Sequence, residues 1–150
     1  MLLSSACVYG LKASVYLAKG TEASYVSITK ISEDLGISRH FLTKVLQQLT
    51  EAGIIESHKG PKGGVKLIQD SDDVYLLDIV TAIDGWDLFT ECVLGLPGCG
   101  IEKPCPMHDK WAGTRDEIRE MLEGTSLEDM VRKGKSGNLR ITAGGNFKWT

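Results

Sequence analysis

Residues 27–53 constrain the fold more tightly than any other stretch. Ile28, Ile31 and Leu35 mark one face of a short helix, with Ser27 placed to cap its start. Leu35-Gly36-Ile37-Ser38 follows. Gly36 supplies the unusual backbone angle of a tight turn, and Ser38 caps the next helix. That helix is expected over about 39–52, with Leu42, Val45, Leu46 and Leu49 as its buried stripe and Gly53 as its stop. Two short helices joined by a glycine turn of this length are a helix-turn-helix pattern. Ile54-Ile55 and Val65-Lys66-Leu67-Ile68 then flank the turn Lys59-Gly60-Pro61-Lys62-Gly63-Gly64. Two apolar runs around a Gly/Pro turn read as a β-hairpin, which in this position is a wing.

The remaining periodicity is helical. Val8, Leu11, Val15 and Ala18 predict a first helix, capped by Ser4 or Ser5 and ended near Gly20. Leu76, Val80 and Ile83 predict another, closed by Gly85. Residues 92–106 are rich in Gly, Pro and Cys and have no period. A helix is expected over about 108–123, carrying Trp111, Ile118 and Leu122 on one side. Thr125-Ser126-Leu127-Glu128 resembles a capping box opening a last short helix. From residue 134 Gly, Ser and Asn predict a loose tail. The fold class is therefore mainly α with a small β-hairpin. It divides into a winged helix-turn-helix over 1–70, a cysteine loop with a long helix over 71–133, and a flexible tail over 134–150.

The 150 residues carry a net charge of −3 and are 42% hydrophobic, ordinary values for a globular chain. No apolar run reaches the length of a membrane span, and the start has no basic n-region or long apolar h-region. A cytoplasmic protein without membrane partners is expected. The acidic total argues against nucleic acid, but the charge is unevenly spread. Residues 1–70 hold 8 basic and 6 acidic side chains, whereas 71–150 hold 9 and 14. Within 39–66 stand Arg39, Lys44, Lys59, Lys62 and Lys66 against Glu51 and Glu56. Phosphate responds to local field, so such a patch is an electrostatic footprint on an acidic chain.

The apolar stripe of the 39–52 helix leaves Ser38, Arg39, His40, Thr43, Lys44 and Gln47 on or near its other face. The major groove admits one α-helix, and these side chains can reach base edges or phosphates there. Lys59 and Lys62 sit on the hairpin tip, where Gly60 permits close backbone approach. Their expected role is phosphate neutralisation, which gives affinity and salt dependence more than sequence choice. Phe41, next to the stripe, is assigned to packing first and groove contact second.

Three of the four cysteines fall in Cys92-x6-Cys99-x5-Cys105, with His108 three residues further on. Without export signals a metal or redox role outweighs a disulfide framework. Zinc sites favour tight C-x2-C pairs, and none is present. The wider spacing suits an iron–sulfur centre held by thiolates in an irregular loop. His108 is the candidate fourth ligand of a [2Fe–2S] centre, which is favoured over [4Fe–4S]. Cys7 is the alternative, with burial on the first helix as its competing role. Free thiols acting as a switch, a surface for a protein partner, and a small iron–sulfur carrier remain open. No nucleophile–base pair or phosphate-binding glycine loop supports an enzyme.

In order, these features resemble the IscR/NsrR-type (Rrf-two) family of bacterial winged-helix transcription regulators. The resemblance runs from about Leu3 to Val131. It is carried by Tyr9-x-Leu11-Lys12-Ala13, Ile31-x3-Leu35-Gly36-Ile37-Ser38, Leu42-x6-Leu49-x3-Gly53-Ile54-Ile55, Lys59-Gly60-Pro61-x-Gly63-Gly64, Ile79-x3-Ile83-Asp84-Gly85 and the three cysteines. It implies a homodimer formed through a C-terminal dimerisation helix at about 108–123. It also implies a roughly palindromic double-stranded DNA operator and, often, cluster-dependent repression or activation. His108 matches the histidine ligand of the IscR branch. Val8 stands where the nitric-oxide-sensing branch has an aspartate ligand, and Lys59 and Val65 stand where arginine and an aromatic residue are common.

Overall fold

A computed structural model describes residues 1–20 and 24–150. Among the described residues seven helices and one hairpin follow in the order α1 (Ser5–Ala18), α2 (Ile28–Leu35), α3 (Arg39–Glu51), β1 (Ile55–His58), β2 (Gly64–Leu67), α4 (Leu76–Asp84), α5 (Asp87–Thr90), α6 (His108–Glu123) and α7 (Leu127–Gly137). Among the described residues no helix is long and apolar enough to cross a membrane.

The caps that the side chains predicted are formed. Ser4 Oγ accepts the Cys7 N–H, and Ser27 Oγ accepts that of Lys30, both at 3.0 Å. Ser4 also donates from its backbone and its hydroxyl to Asp84, joining the start of α1 to the end of α4. Gly36 turns the chain in the left-handed region at φ 66°, and Ser38 opens α3. Gly64 is required by close approach, since a Cβ there would lie 2.1 Å from the Val26 carbonyl oxygen. That contact lets Val26 and Val65 exchange backbone hydrogen bonds of 2.9 Å and fixes the wing to the strand-like entry of α2. The hairpin pairs Ile55 with Leu67 and His58 with Gly64 in antiparallel register.

One apolar core continues across residue 70. Leu42, Leu46 and Leu49 of α3 share it with Val15 of α1, Ile79 and Val80 of α4, and Leu127 and Val131 of α7. Helix α1 is the hub, packing against α3, α4 and α7. The start of α7 is held by Leu127 N–H to the Val74 carbonyl and Leu76 N–H to the Thr125 carbonyl, both 2.9 Å. Its cap differs from the predicted pairing. Ser126 exchanges bonds of 3.0 Å with Asp129, while Glu128 instead accepts from Ser71 at 2.8 Å.

The tail departs most from expectation. Residue 134 does not begin a loose segment. Helix α7 continues to Gly137, and Ile141, Phe147 and Trp149 pack on the core. Composition missed this because two aromatic anchors outweigh many small polar neighbours when a complementary surface is present.

A buried polar knot links α1 to α2. Asp34 accepts from the Tyr16 hydroxyl and, at 3.0 Å, from Lys30 Nζ. Burial alone would raise the Asp34 carboxyl, but the Tyr16 and Lys30 bonds and the Lys19 charge hold it below the usual carboxylate range. The folded state therefore binds this proton less tightly than the unfolded chain. Its contribution is present above the ordinary carboxylate value and is lost as pH falls through the folded one. Asp34→Asn is expected to cost about 1–3 kcal/mol at neutral pH. It should also flatten the acid limb of the stability profile, read by urea melts from about pH 7 to about pH 2.

Candidate cysteine centre and nucleic-acid interface

The loop between α5 and α6 brings Cys92, Cys99 and Cys105 together, their sulfurs all within 4.8 Å of one another. Cys92 and Cys105 are closest, with Sγ atoms 3.6 Å apart. Backbone donors aim inward, Leu94 N–H at Cys92 Sγ (3.4 Å) and Cys105 N–H at Cys99 Sγ (3.3 Å). Glycines permit these turns, Gly95 and Gly98 both standing at φ 70°. The Leu96 and Leu94 N–H groups and the neighbouring thiols bring Cys92 down to about 7. At Cys99 the Cys105 N–H pulls the same way, but burial and the two adjacent sulfurs outweigh it and the thiol is raised. A shared thiolate site has this asymmetry, because adjacent sulfurs cannot all carry negative charge without a cation.

His108 is the first residue of α6, and its Nδ1 lies 3.6 Å from Cys99 Sγ. Cys7 is elsewhere. It is wholly buried in the core, where burial and Asp84 push its thiol up to about 12. A ligand supplied to a partner would have to leave that core, so the structure favours the competing role of Cys7 as a small buried residue. The loop is moored by Trp111, expected from the sequence only as part of one side of its helix, and by Arg115, which the sequence did not mark. Trp111 Nε1 and Arg115 Nη1 both donate to the Glu91 carbonyl, at 2.9 and 3.1 Å. Their spacing of four on α6, facing the loop start, was the available signal.

Ser38, Arg39, His40, Thr43, Lys44 and Gln47 are all exposed at the start of and along α3. Lys59, Gly60 and Lys62 are exposed on the wing. Among the described residues no carboxylate pairs with Arg39, Lys44, Lys59 or Lys62. Lys66 differs, being held 3.3 Å from Glu56 and over the Tyr25 ring at 4.9 Å. Thr43 turns its hydroxyl back to the Arg39 carbonyl (2.8 Å). Phe41 stacks edge-on against Tyr9 at 5.4 Å yet is 39% exposed, so it packs on one side and stays open to solvent on the other.

A capped recognition-type helix, a basic hairpin and a separate thiol centre on one core define a winged-helix transcription regulator. The chain belongs to the Rrf2 family, whose model, described as an iron-dependent transcriptional regulator, matches residues 3–133. It is 30% identical over 131 residues to the HTH-type transcriptional regulator IscR of Photorhabdus laumondii, covering 87% of this chain and 79% of that one. In fold it is similar to CymR, the global cysteine regulator of B. subtilis (TM-score 0.75, 27% identity, 87% of this chain and 96% of that one). It is also similar to T. potens IscR (TM-score 0.74, 24% identity, 92% and 91%). These relatives are regulators and not enzymes, in agreement with the absence of a catalytic constellation from the sequence reading.

Proposed function

We propose that the chain is a homodimeric regulator whose affinity for a roughly palindromic operator is set by an iron–sulfur centre. The ligands are Cys92, Cys99, Cys105 and His108. The observation that carries this reading is the convergence of three thiols on a loop lashed to α6. The donor set fits such a group. Three soft sulfurs lie within 4.8 Å, the Leu94 and Cys105 N–H groups among others point at them, and a histidine stands 3.6 Å from Cys99. A mixed set of three sulfurs and one nitrogen favours [2Fe–2S]. When bound, the centre supplies oxidant-sensitive redox chemistry at an exchangeable fourth ligand.

Helix α6 supports the dimer. Of its sixteen residues only Leu122 is buried, and Met121 is 61% exposed. A long helix with so little covered surface suits a second copy. The route from loop to DNA is through packed elements, from the loop to α6, to α4, and to α3 directly and through α1. Reordering the loop then biases the relative pose of two recognition helices, a population shift typically worth about 1–3 kcal/mol. Ser38, Arg39, His40, Thr43, Lys44 and Gln47 face the major groove, and Lys59, Gly60 and Lys62 meet the backbone beside it.

One observation favours a second reading. The 3.6 Å approach of Cys92 to Cys105, with Cys92 near 7, suits a thiol switch. There a peroxide would accept two electrons and two protons as the pair closes to a disulfide. Anaerobic purification with iron and sulfide analysis, followed by selection of duplexes with and without the centre, separates the two. Stoichiometric iron and sulfide with operator affinity that changes on their removal is expected. Colourless protein whose full affinity is lost to peroxide would establish the switch instead.

A further inference from the structure

Residues 138–150 form a strap that returns from the end of α7 to the helix-turn-helix. The Phe147 ring lies 6.0 Å from Tyr16, and Lys19 Nζ sits over both rings. Trp149 packs edge-on against Phe147 at 4.9 Å and donates its indole N–H to the Leu139 carbonyl at 2.7 Å. Thr142 donates to the Leu35 carbonyl at 3.3 Å. Gly145 is seated against the α2–α3 turn so closely that a Cβ would stand 2.5 Å from the Asp34 carbonyl oxygen and 2.8 Å from Gly36 N. The strap is thus fixed two residues before Ser38, the cap of α3.

The strap carries two basic residues, Arg140 and Lys148, and continues a basic run begun on α7 by Arg132, Lys133 and Lys135, with no acidic side chain after Asp129. All five are exposed, and among the described residues only Arg132 is paired with a carboxylate. The strap lies beyond the residues 3–133 that the family model matches.

We infer that the docked strap is a second phosphate-binding surface that grips the DNA backbone outside the bases read by α3. The inference rests on the reading that α3 and the wing face DNA. In a helix-turn-helix the helix before the recognition helix crosses the backbone. Thr142 and Gly145 tie the strap to the turn between those helices, so the cations it carries, Arg140 and Lys148, are held on the same rigid unit as α3. Anchoring matters, since a free tail would have to be ordered at the moment of binding.

The test uses the full chain and a labelled random-sequence duplex of about 40 base pairs, read by fluorescence anisotropy across a salt series. Arg140→Glu with Lys148→Glu is expected to weaken binding about ten-fold at low salt and to flatten the salt slope by about 2 per subunit. Phe147→Ala with Trp149→Ala frees the strap at unchanged charge and is expected to weaken binding several-fold. The two reversals are on exposed side chains and leave the thermal melt unchanged, so lost binding is not lost fold. Lys44→Glu is the reference. If Lys44→Glu weakens binding and the strap reversals do not, the inference is overturned while the α3 reading stands. If neither variant changes affinity, both fall. Weakened binding only when the strap is undocked, with no effect of its charges, would make it a brace and also overturn the inference.

Discussion

Cys99→Ala is expected to reduce iron and sulfide in anaerobically purified protein to background and to remove its visible absorbance. Cys99 is the centre of the thiol group. Its sulfur takes the Cys105 N–H at 3.3 Å, stands 3.6 Å from His108 Nδ1 and lies within 4.8 Å of both other sulfurs. Without it, Cys92 and Cys105 remain 3.6 Å apart, and with His108 they supply only three of the four ligands a [2Fe–2S] centre takes. The fold should survive. Cys99 is outside the core, so stability should change within about 0.5 kcal/mol. Operator affinity should shift about 5- to 150-fold, the range of an ordinary coupling energy. Cys7→Ala is the control, because its thiol lies in the core and its loss should leave iron content intact. Full iron loading in the Cys99 variant would remove the proposed centre. Iron loss in the Cys7 variant at unchanged stability would restore Cys7 as a ligand.

What could be read from the residues followed the range of the forces involved. The α2–turn–α3 unit is specified locally, by Ser27, Gly36, Ser38 and the Leu42–Leu49 stripe, and each forms as its chemistry requires. The wing is equally local, although the need for glycine at 64 comes from Val26, which only the folded chain brings near. The cysteine spacing implied a shared loop. It did not reveal that Trp111 and Arg115 moor that loop through the Glu91 carbonyl, because their spacing of four marks a shared helix face but not the backbone acceptor that face meets. The tail was misjudged for the same reason. Phe147 and Trp149 are ordinary residues until Tyr16 and Gly134 offer them a surface, and Gly134 does so only through its missing Cβ. Dividing the charge at residue 70 also concealed that the acidic excess ends at Asp129.

The second large effect is expected on α3 and the wing. Lys44→Glu and Lys59→Glu, made together, should weaken DNA binding at low salt by about a hundred-fold or more and flatten the salt slope by about 4 in a dimer. Both lysines are exposed and, among the described residues, neither has a carboxylate partner. Their ammonium groups are therefore available to release counterions from phosphate. For the same reason their reversal breaks no intramolecular pair and should alter stability by no more than about 0.5 kcal/mol. Lys66→Glu separates this surface from general charge. Lys66 is 3.3 Å from Glu56 and lies over Tyr25, so its reversal puts like charges across the hairpin and should cost stability first. A salt titration of the three variants beside thermal melts makes the comparison. If the Lys44 and Lys59 reversals lost stability but kept the wild-type salt slope, α3 and the wing would not be the surface that meets phosphate.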